Sequence, residues 1–162
     1  MMAYTLSDPD VPVVHLAPGQ FVVTADPCTV RTILGSCVGI CLWDRKRRVG
    51  GMNHFLLPGD SSHDDSPRHG EGAMKLLYDG VLELGALTEN LTAHVLGGAR
   101  VLAGVASTTD LGERNIEFAM RWLERAEVTL STLDVGGSTA RRVEFSLVTG
   151  TVSIRRLGGQ SP

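Results

Sequence analysis

Residues 29–57 read TVRTILGSCVGICLWDRKRRVGGMNHFLL and contain three short apolar segments of the kind that form β-strands. Residues 29–34 and 38–43 are rich in β-branched side chains and are separated by the break Gly35-Ser36-Cys37. The third segment, residues 52–57, follows a basic run and a pair of glycines and ends before Pro58-Gly59. Strands that follow one another in runs favour an α+β fold over a sheet in which strands and helices alternate.

Two helices and five further strands are predicted around this stretch. Apolar residues recur every three or four positions in residues 71–85 and in residues 112–126, which indicates one buried face on each helix. Residues 142–148 and 151–156 predict a hairpin around Thr149-Gly150. The remaining strand patterns occupy residues 20–24, 91–96 and 128–133. The predicted class is therefore α+β, with mostly antiparallel strands and two main helices.

The chain has 162 residues, which is the size of one domain. Apolar residues make up 43% and charged residues 20%, values that are usual for a globular protein and exclude a mostly disordered chain. Residues 1–19 are predicted to be a loose N-terminal lead-in and residues 158–162 a short tail. Residues 20–157 are then expected to form a single domain.

The charge and hydropathy of the chain do not favour nucleic acid or a membrane as a partner. The formal net charge is −3 and aromatic residues are 5%, which does not favour binding to nucleic acid. The longest uncharged apolar run, residues 32–43, is shorter than the roughly 20 residues that span a bilayer, and the N-terminus lacks the pattern of a secretory signal. An odd number of cysteines argues against a disulfide framework. We expect a cytoplasmic protein with reduced thiols and without membrane insertion.

Cys37 and His54 are the residues best placed for chemistry. Cys37 follows Gly35-Ser36 at a break between two strands, where a thiol can be exposed and backbone N–H groups can face its ligand. His54 follows 17 residues later. If the two segments are neighbouring strands, the imidazole can take the thiol proton and stabilise the thiolate. The alternative is a small buried thiol and a core histidine, and Cys28 and Cys41 have weaker contexts still.

Two metal sites were weighed against this hypothesis. Cys37, Cys41 and His54 match no common zinc spacing. The polar loop of residues 59–70 has side chains that bind hard metals, but in no recognised ligand spacing, and a surface loop or a flap is the favoured interpretation. Its candidate ligands are His63, Asp64, Asp65 and His69. We therefore expect neither a metal nor a cofactor.

Five sequence blocks occur in one order along the chain. They are LGSCVGICLWD (34–44), GGMNHFLLPG (50–59), LGGARVL (96–102), LGERNI (111–116), and DVGG (134–137) continuing through RRVEF (141–145) to TG (149–150). Together these blocks resemble the chemoreceptor glutamine deamidase family, CheD, of bacterial and archaeal chemotaxis. The resemblance runs from about Gln20 to Leu157, and it implies a layered α/β/β fold with a Cys–His–Thr site.

The resemblance implies a role for three residues. Cys37 would be the nucleophile, His54 the general base and acid, and Thr32 the residue that orients the imidazole. The threonine of the family lies a few residues before the LGSC block, so Thr29 is a second candidate for that role. In the loop, Arg68-His69-Gly70 stands where many members have Arg-Tyr-Gly.

The implied activity is deamidation of glutamine side chains to glutamate on the cytoplasmic helical domain of methyl-accepting chemoreceptors, which tunes signalling. Hydrolysis of glutamyl methyl esters at the same site is also implied. Some members bind the chemotaxis phosphatase CheC, so a non-enzymatic regulator is one alternative, and a thiol hydrolase of small amides is another. Arg114 and Asn115 are interpreted as a set of turn-stabilising hydrogen bonds, with contact to a substrate helix as the second interpretation.

Overall fold

The computed structural model describes residues 9–59, 66–100 and 111–158. These residues contain nine strands, two α-helices and a short 3-10 helix at Thr88–Asn90. In chain order the elements are β1 (Val13–His15), β2 (Phe21–Thr24), β3 (Thr29–Leu34), β4 (Val38–Asp44), β5 (Val49–Asn53), α1 (Gly70–Glu83), β6 (Leu91–Gly97), α2 (Leu111–Ala126), β7 (Thr129–Val135), β8 (Arg141–Ser146) and β9 (Val152–Arg156).

The strands form two sheets. The larger sheet has the order β2-β5-β4-β6-β7, and the smaller has the order β1-β3-β8-β9. The pairs β1–β3 and β6–β7 are parallel, and the other neighbouring pairs are antiparallel. The α+β class with mostly antiparallel strands is confirmed.

Two apolar clusters define three layers. In β4, Ile40 and Leu42 pack towards the helices, whereas Cys41 and Trp43 pack towards the smaller sheet. All seven residues of β4 are buried, because this strand is covered on both faces. The helices therefore lie on one face of the larger sheet, and the smaller sheet lies on the other, in an α/β/β arrangement.

The strand predicted at residues 52–57 is placed differently. Strand β5 begins at Val49 and ends at Asn53, so His54 lies just beyond it rather than inside it. The glycine pair Gly50-Gly51 lies inside this strand. Neighbouring backbone comes very close there, since a Cβ on Gly51 would lie 2.2 Å from the Val22 carbonyl oxygen. Glycine here permits close strand packing inside the sheet.

The N-terminal lead-in also differs from the expectation of a loose segment. Within residues 1–19, strand β1 pairs in parallel with β3, and the Leu16 amide donates to the Arg31 carbonyl at 2.9 Å. The next residues cross to the larger sheet, where the Gly19 amide donates to the His54 carbonyl at 2.8 Å. In the described part of the chain, neither helix is long and apolar enough to span a membrane.

Candidate active site

The two segments that carry Cys37 and His54 lie side by side at one end of β4. The amide of Val38 donates to the carbonyl of Phe55 at 3.1 Å, and the amide of Phe55 donates back to Val38 at 2.9 Å. Cys37 and His54 each precede one member of this pair, so they hold diagonal positions across an antiparallel ladder. Diagonal Cα atoms lie roughly 7–8 Å apart, which is within reach of an aromatic side chain.

Both side chains face the layer between the sheets. Cys37 packs against the apolar cluster between the two sheets, whereas Val38 and Phe55 belong to the cluster under the helices. The His54 ring meets Thr32, which belongs to the smaller sheet. The structure therefore brings Cys37 and His54 to the same face and the same end of the larger sheet.

Thr32 fixes the imidazole of His54. The Thr32 Oγ1 lies 2.8 Å from His54 Nδ1 and 2.6 Å from the Leu16 carbonyl oxygen, and both side chains are buried. A carbonyl only accepts, so the single hydroxyl proton is donated to Leu16, and the hydroxyl oxygen must accept a proton from Nδ1. This places the ring proton on Nδ1 and leaves Nε2 unprotonated, as a general base requires.

Thr29, the second candidate for this role, lies elsewhere. It begins β3, where it pairs with Val13 and Ser146. Its hydroxyl is buried and has no hydrogen-bond partner in the described residues. Of the two threonines, only Thr32 contacts His54.

A glycine-rich connection after β6 holds the turn of residues 35–37. The amide of Gly98 donates to the Cys37 carbonyl at 2.8 Å, and the amide of Ala99 donates to the Gly35 carbonyl at 2.8 Å. Gly97 has φ of 106°, and a Cβ there would lie 2.3 Å from the Cys37 carbonyl oxygen. Glycine is required here because its backbone both adopts a left-handed conformation and touches the turn.

The three cysteines are free thiols in different surroundings. Cys28 and Cys41 are buried in the core between the sheets, whereas Cys37 is partly exposed. Burial raises the pKa of Cys41 well above its ordinary value, so this thiol stays protonated. Of the three thiols, Cys37 is the one that is not fully buried.

The metal alternatives receive no support from the described residues, where no group of three or more His, Cys, Asp or Glu side chains could hold a metal ion. His63, Asp64 and Asp65 of the polar loop lie outside the described residues. His69 precedes the first residue of α1.

Thiol and imidazole are both neutral at rest. Burial lowers the pKa of His54 to about 4, so the ring is unprotonated at neutral pH. Burial also raises the pKa of the Cys37 thiol above its ordinary value, although the amide N–H of Cys37, which faces its own sulfur, offsets part of the rise. A preformed thiolate–imidazolium pair is therefore not favoured.

We expect the resting charge state to govern alkylation of Cys37. Iodoacetamide reacts with the thiolate, so alkylation of this residue should be slow at neutral pH and should accelerate as the pH rises above the ordinary thiol pKa of 9.0. Mass spectrometry of the Cys37 peptide, sampled over time at each pH, measures this rate. A fast rate that is constant across the weakly acidic and neutral range would show a preformed thiolate and contradict the neutral resting pair.

A cavity of about 500 Å³ borders His54 rather than Cys37. Thr32 and His54 line it together with the chain that follows β1 and with Arg142 of β8. A larger cavity, of about 660 Å³, is lined by Arg45, Lys46 and His94 among others and by none of the three candidate residues. The larger cavity is therefore not the candidate site. The positions of Thr32, Cys37 and His54, rather than the size of a cavity, identify the site.

Two further contacts hold the site, and only the second involves a residue that the sequence analysis names. The carbonyl of Leu16 accepts the Thr32 proton, and a backbone carbonyl carries no residue-type signal. Asn115 of α2 donates to the carbonyls of Ser36 and Leu56, on either side of the site. The interpretation of Asn115 as a turn-stabilising residue is confirmed as far as its hydrogen bonds go.

A thiol and an imidazole on one face of two neighbouring segments, with a hydroxyl bonded to the ring, is an arrangement compatible with cysteine hydrolase chemistry. Comparison with known proteins gives the family. The family model described as CheD chemotactic sensory transduction matches residues 56–156, which is more than half of the chain. The chain belongs to the CheD family.

Relatives match over most of the chain. A protein of Albidiferax ferrireducens named probable chemoreceptor glutamine deamidase CheD 1 is 41% identical over 149 residues, which are 92% of this chain and 63% of the relative. A probable chemoreceptor glutamine deamidase CheD of Trichlorobacter lovleyi is 42% identical over 142 residues, which are 87% of this chain and 88% of the relative. This chain thus spans somewhat less than two thirds of the first relative and most of the second.

Proposed function

We propose that this chain is a thiol-dependent protein glutaminase that converts specific glutamine side chains of chemoreceptors to glutamate. The observation that carries the proposal is the contact between Thr32 and His54, which leaves Nε2 free to act as a base, on the same face of the sheet as the partly exposed Cys37. The names of the relatives support the substrate, since they are called chemoreceptor glutamine deamidases.

The proposed reaction passes through a thioester, and its first step forms a tetrahedral intermediate. The thiol proton moves to Nε2 of His54 as the sulfur of Cys37 bonds to the carbon of the substrate carboxamide. The carbonyl oxygen takes the negative charge. The amide N–H of Cys37, which already faces the sulfur, is suited to donate to this oxyanion.

The second half of the reaction restores the enzyme. The carbon–nitrogen bond breaks, and the Nε2 proton passes to the nitrogen, which leaves as ammonia. A water molecule then attacks the thioester and gives its proton to Nε2. The carbon–sulfur bond breaks, the proton returns to sulfur, and the product is a glutamate side chain.

The same site is proposed to hydrolyse glutamyl methyl esters, since the tetrahedral intermediate differs only in the leaving group. The proposed partner is the cytoplasmic helical domain of methyl-accepting chemoreceptors, where a new carboxylate changes the charge of the bundle and tunes signalling. The phosphatase CheC is a second proposed partner. A cytoplasmic location is part of the same proposal, since this receptor domain is cytoplasmic.

The proposal is tested by incubating the protein with cytoplasmic fragments of chemoreceptors and mapping conversion of glutamine to glutamate by mass spectrometry. Free glutamine and small amides serve as competing substrates. Conversion at particular receptor glutamines is the expected result. Hydrolysis of small amides without conversion of receptors would make the chain a general thiol amidohydrolase, and receptor or CheC binding without conversion would make it a non-enzymatic regulator.

Thr32→Val is expected to lower kcat by about tenfold and to leave KM nearly unchanged. Valine fills the same space but cannot accept from Nδ1, and a hydrogen bond worth roughly 1 to 1.5 kcal/mol in orienting the ring corresponds to about a tenfold change in rate. Steady-state deamidation kinetics measure the effect. Thr29→Val is the matched control, because it removes a buried hydroxyl from the same strand that has no partner in the described residues. Equal losses in both variants would contradict the orienting role of Thr32.

A further inference from the structure

Asn115 connects the two segments of the site through one side chain. It lies on α2 and is fully buried. Its Nδ2 donates to the Ser36 carbonyl at 3.1 Å and to the Leu56 carbonyl at 3.0 Å. A primary amide nitrogen has two hydrogens, so both of its donors are used on these two carbonyls.

These two carbonyls belong to the backbone that places the reacting groups. Ser36 directly precedes Cys37. Leu56 lies opposite Cys37 in the ladder set by the Val38–Phe55 pair, and it follows His54 by two residues. The Asn115 amide therefore bridges the turn of Cys37 and the segment of His54, next to the backbone pair of Val38 and Phe55.

Helix α2 is held firmly against both segments. One turn before Asn115, a Cβ on Gly112 would lie 2.4 Å from the Gly98 carbonyl oxygen, so only glycine allows this approach. One turn after it, the ring of Phe118 meets the ring of Phe55 edge to face, with centroids 5.8 Å apart. Gly112, Asn115 and Phe118 share one face of the helix, and that face rests on the site.

The acceptor end of the same amide has no partner. Asn115 Oδ1 is buried, and the described residues provide no hydrogen bond to it. A buried acceptor without a partner is destabilising, so full hydrogen bonding of the side chain does not explain asparagine here. The two donors do explain it: an aspartate of the same shape would place carboxylate oxygens against two carbonyl oxygens.

We infer that Asn115 is a positioning residue, which holds the Cys37 turn and the His54 segment at the separation that proton transfer between thiol and imidazole requires. The inference rests on the proposed deamidase function for its kinetic consequence. Its structural consequence, the placement of the Cys37 thiol, can be measured without any substrate.

Asn115→Ser and Asn115→Asp test the inference. Serine is neutral and retains one donor, whereas aspartate keeps the shape and loses both donors at neutral pH. Misplacement of a reacting group by about 1 Å can cost roughly a hundredfold in rate, so kcat should fall by roughly tenfold to hundredfold, more for aspartate than for serine, with KM nearly unchanged. If the aspartate variant does not fold, the serine variant carries the test.

A second readout separates positioning from loss of stability. Releasing the turn exposes the Cys37 thiol, so alkylation by iodoacetamide in Asn115→Ser should begin at a lower pH than in the wild type, while turnover falls. Tyr78→Phe is the control, since it removes a partly buried hydrogen bond to Thr88 that is remote from the site. It should lower the melting temperature without changing kcat or the alkylation profile.

Two outcomes would overturn the inference. One is a folded Asn115→Ser or Asn115→Asp variant whose kcat and alkylation profile stay within about twofold of wild type. The other is that Tyr78→Phe loses as much kcat as the Asn115 variants when its melting temperature is similar to theirs. If the wild type deamidates no receptor fragment, the proposed function fails, but the alkylation profile of Asn115→Ser still decides whether Asn115 places the thiol.

Discussion

Replacing Cys37 with alanine is expected to reduce glutamine deamidation by roughly a thousandfold or more, because removal of a nucleophile eliminates the covalent route. The fold should persist, since the side chain is partly exposed at a turn and its loss removes one sulfur atom. Conversion of glutamine in a receptor fragment, followed by mass spectrometry, measures the activity. Thermal unfolding of the same sample measures the fold.

Cys28→Ala is the matched control for this variant. Cys28 is buried between the sheets, so its truncation should cost stability but leave the kcat of the folded protein intact. The nucleophilic role of Cys37 is wrong if Cys37→Ala deamidates at the wild-type rate. A collapsed thermal transition in Cys37→Ala would instead show that the thiol belongs to the core.

Replacing His54 with glutamine is expected to lower kcat by roughly a hundredfold to ten-thousandfold, the usual contribution of a positioned general base. The loss should be large because burial keeps the Cys37 thiol protonated at neutral pH, so the proton needs an acceptor during attack. The kinetics of deamidation at neutral pH measure the change. At a pH above the thiol pKa, where the sulfur ionises unaided, the acylation step of the variant should recover in part.

His94→Gln is the control for the loss of a buried imidazole. His94 is also buried, its pKa is also lowered by burial, and its Nε2 lies 2.7 Å from the Gly150 carbonyl oxygen. It has no contact with the candidate site, so its replacement should affect stability and leave kcat unchanged. Equal kinetic losses in the two variants would show that His54 acts through the fold rather than as a base.

Much of the fold was predictable because its signals are local. The alternation in residues 142–148 and the helical period in residues 112–126 correspond to β8 and α2. The third strand of the opening stretch was placed too late, because Gly50-Gly51 resembles a turn unless the approach of neighbouring strands is known. Strand β1 was missed because three residues that pair in parallel with a strand 16 positions away leave no local pattern.

The site was predictable in part for a similar reason. A thiol after a glycine turn and a nearby histidine are visible as residue types, whereas the choice between Thr29 and Thr32 depends on which face of β3 meets the second sheet. Val30 and Leu34 both pack between the sheets, and strand alternation places Thr32 on their face. The Leu16 carbonyl and the link from Asn115 to Ser36 and Leu56 depend on tertiary contacts that sequence spacing does not contain.

The most direct test of the account identifies the atom that attacks the substrate. A receptor fragment whose target glutamine is replaced by a diazoketone analogue keeps the side-chain carbonyl and carries a diazomethyl carbon in place of the amide nitrogen. Once protonated, this carbon bonds irreversibly to the nucleophile as dinitrogen leaves. Mass spectrometry of the digested adduct should place a single modification on the sulfur of Cys37, formed more slowly in His54→Gln. A modification on another residue, or an unmodified Cys37 in a protein that still deamidates the native fragment, would contradict the account.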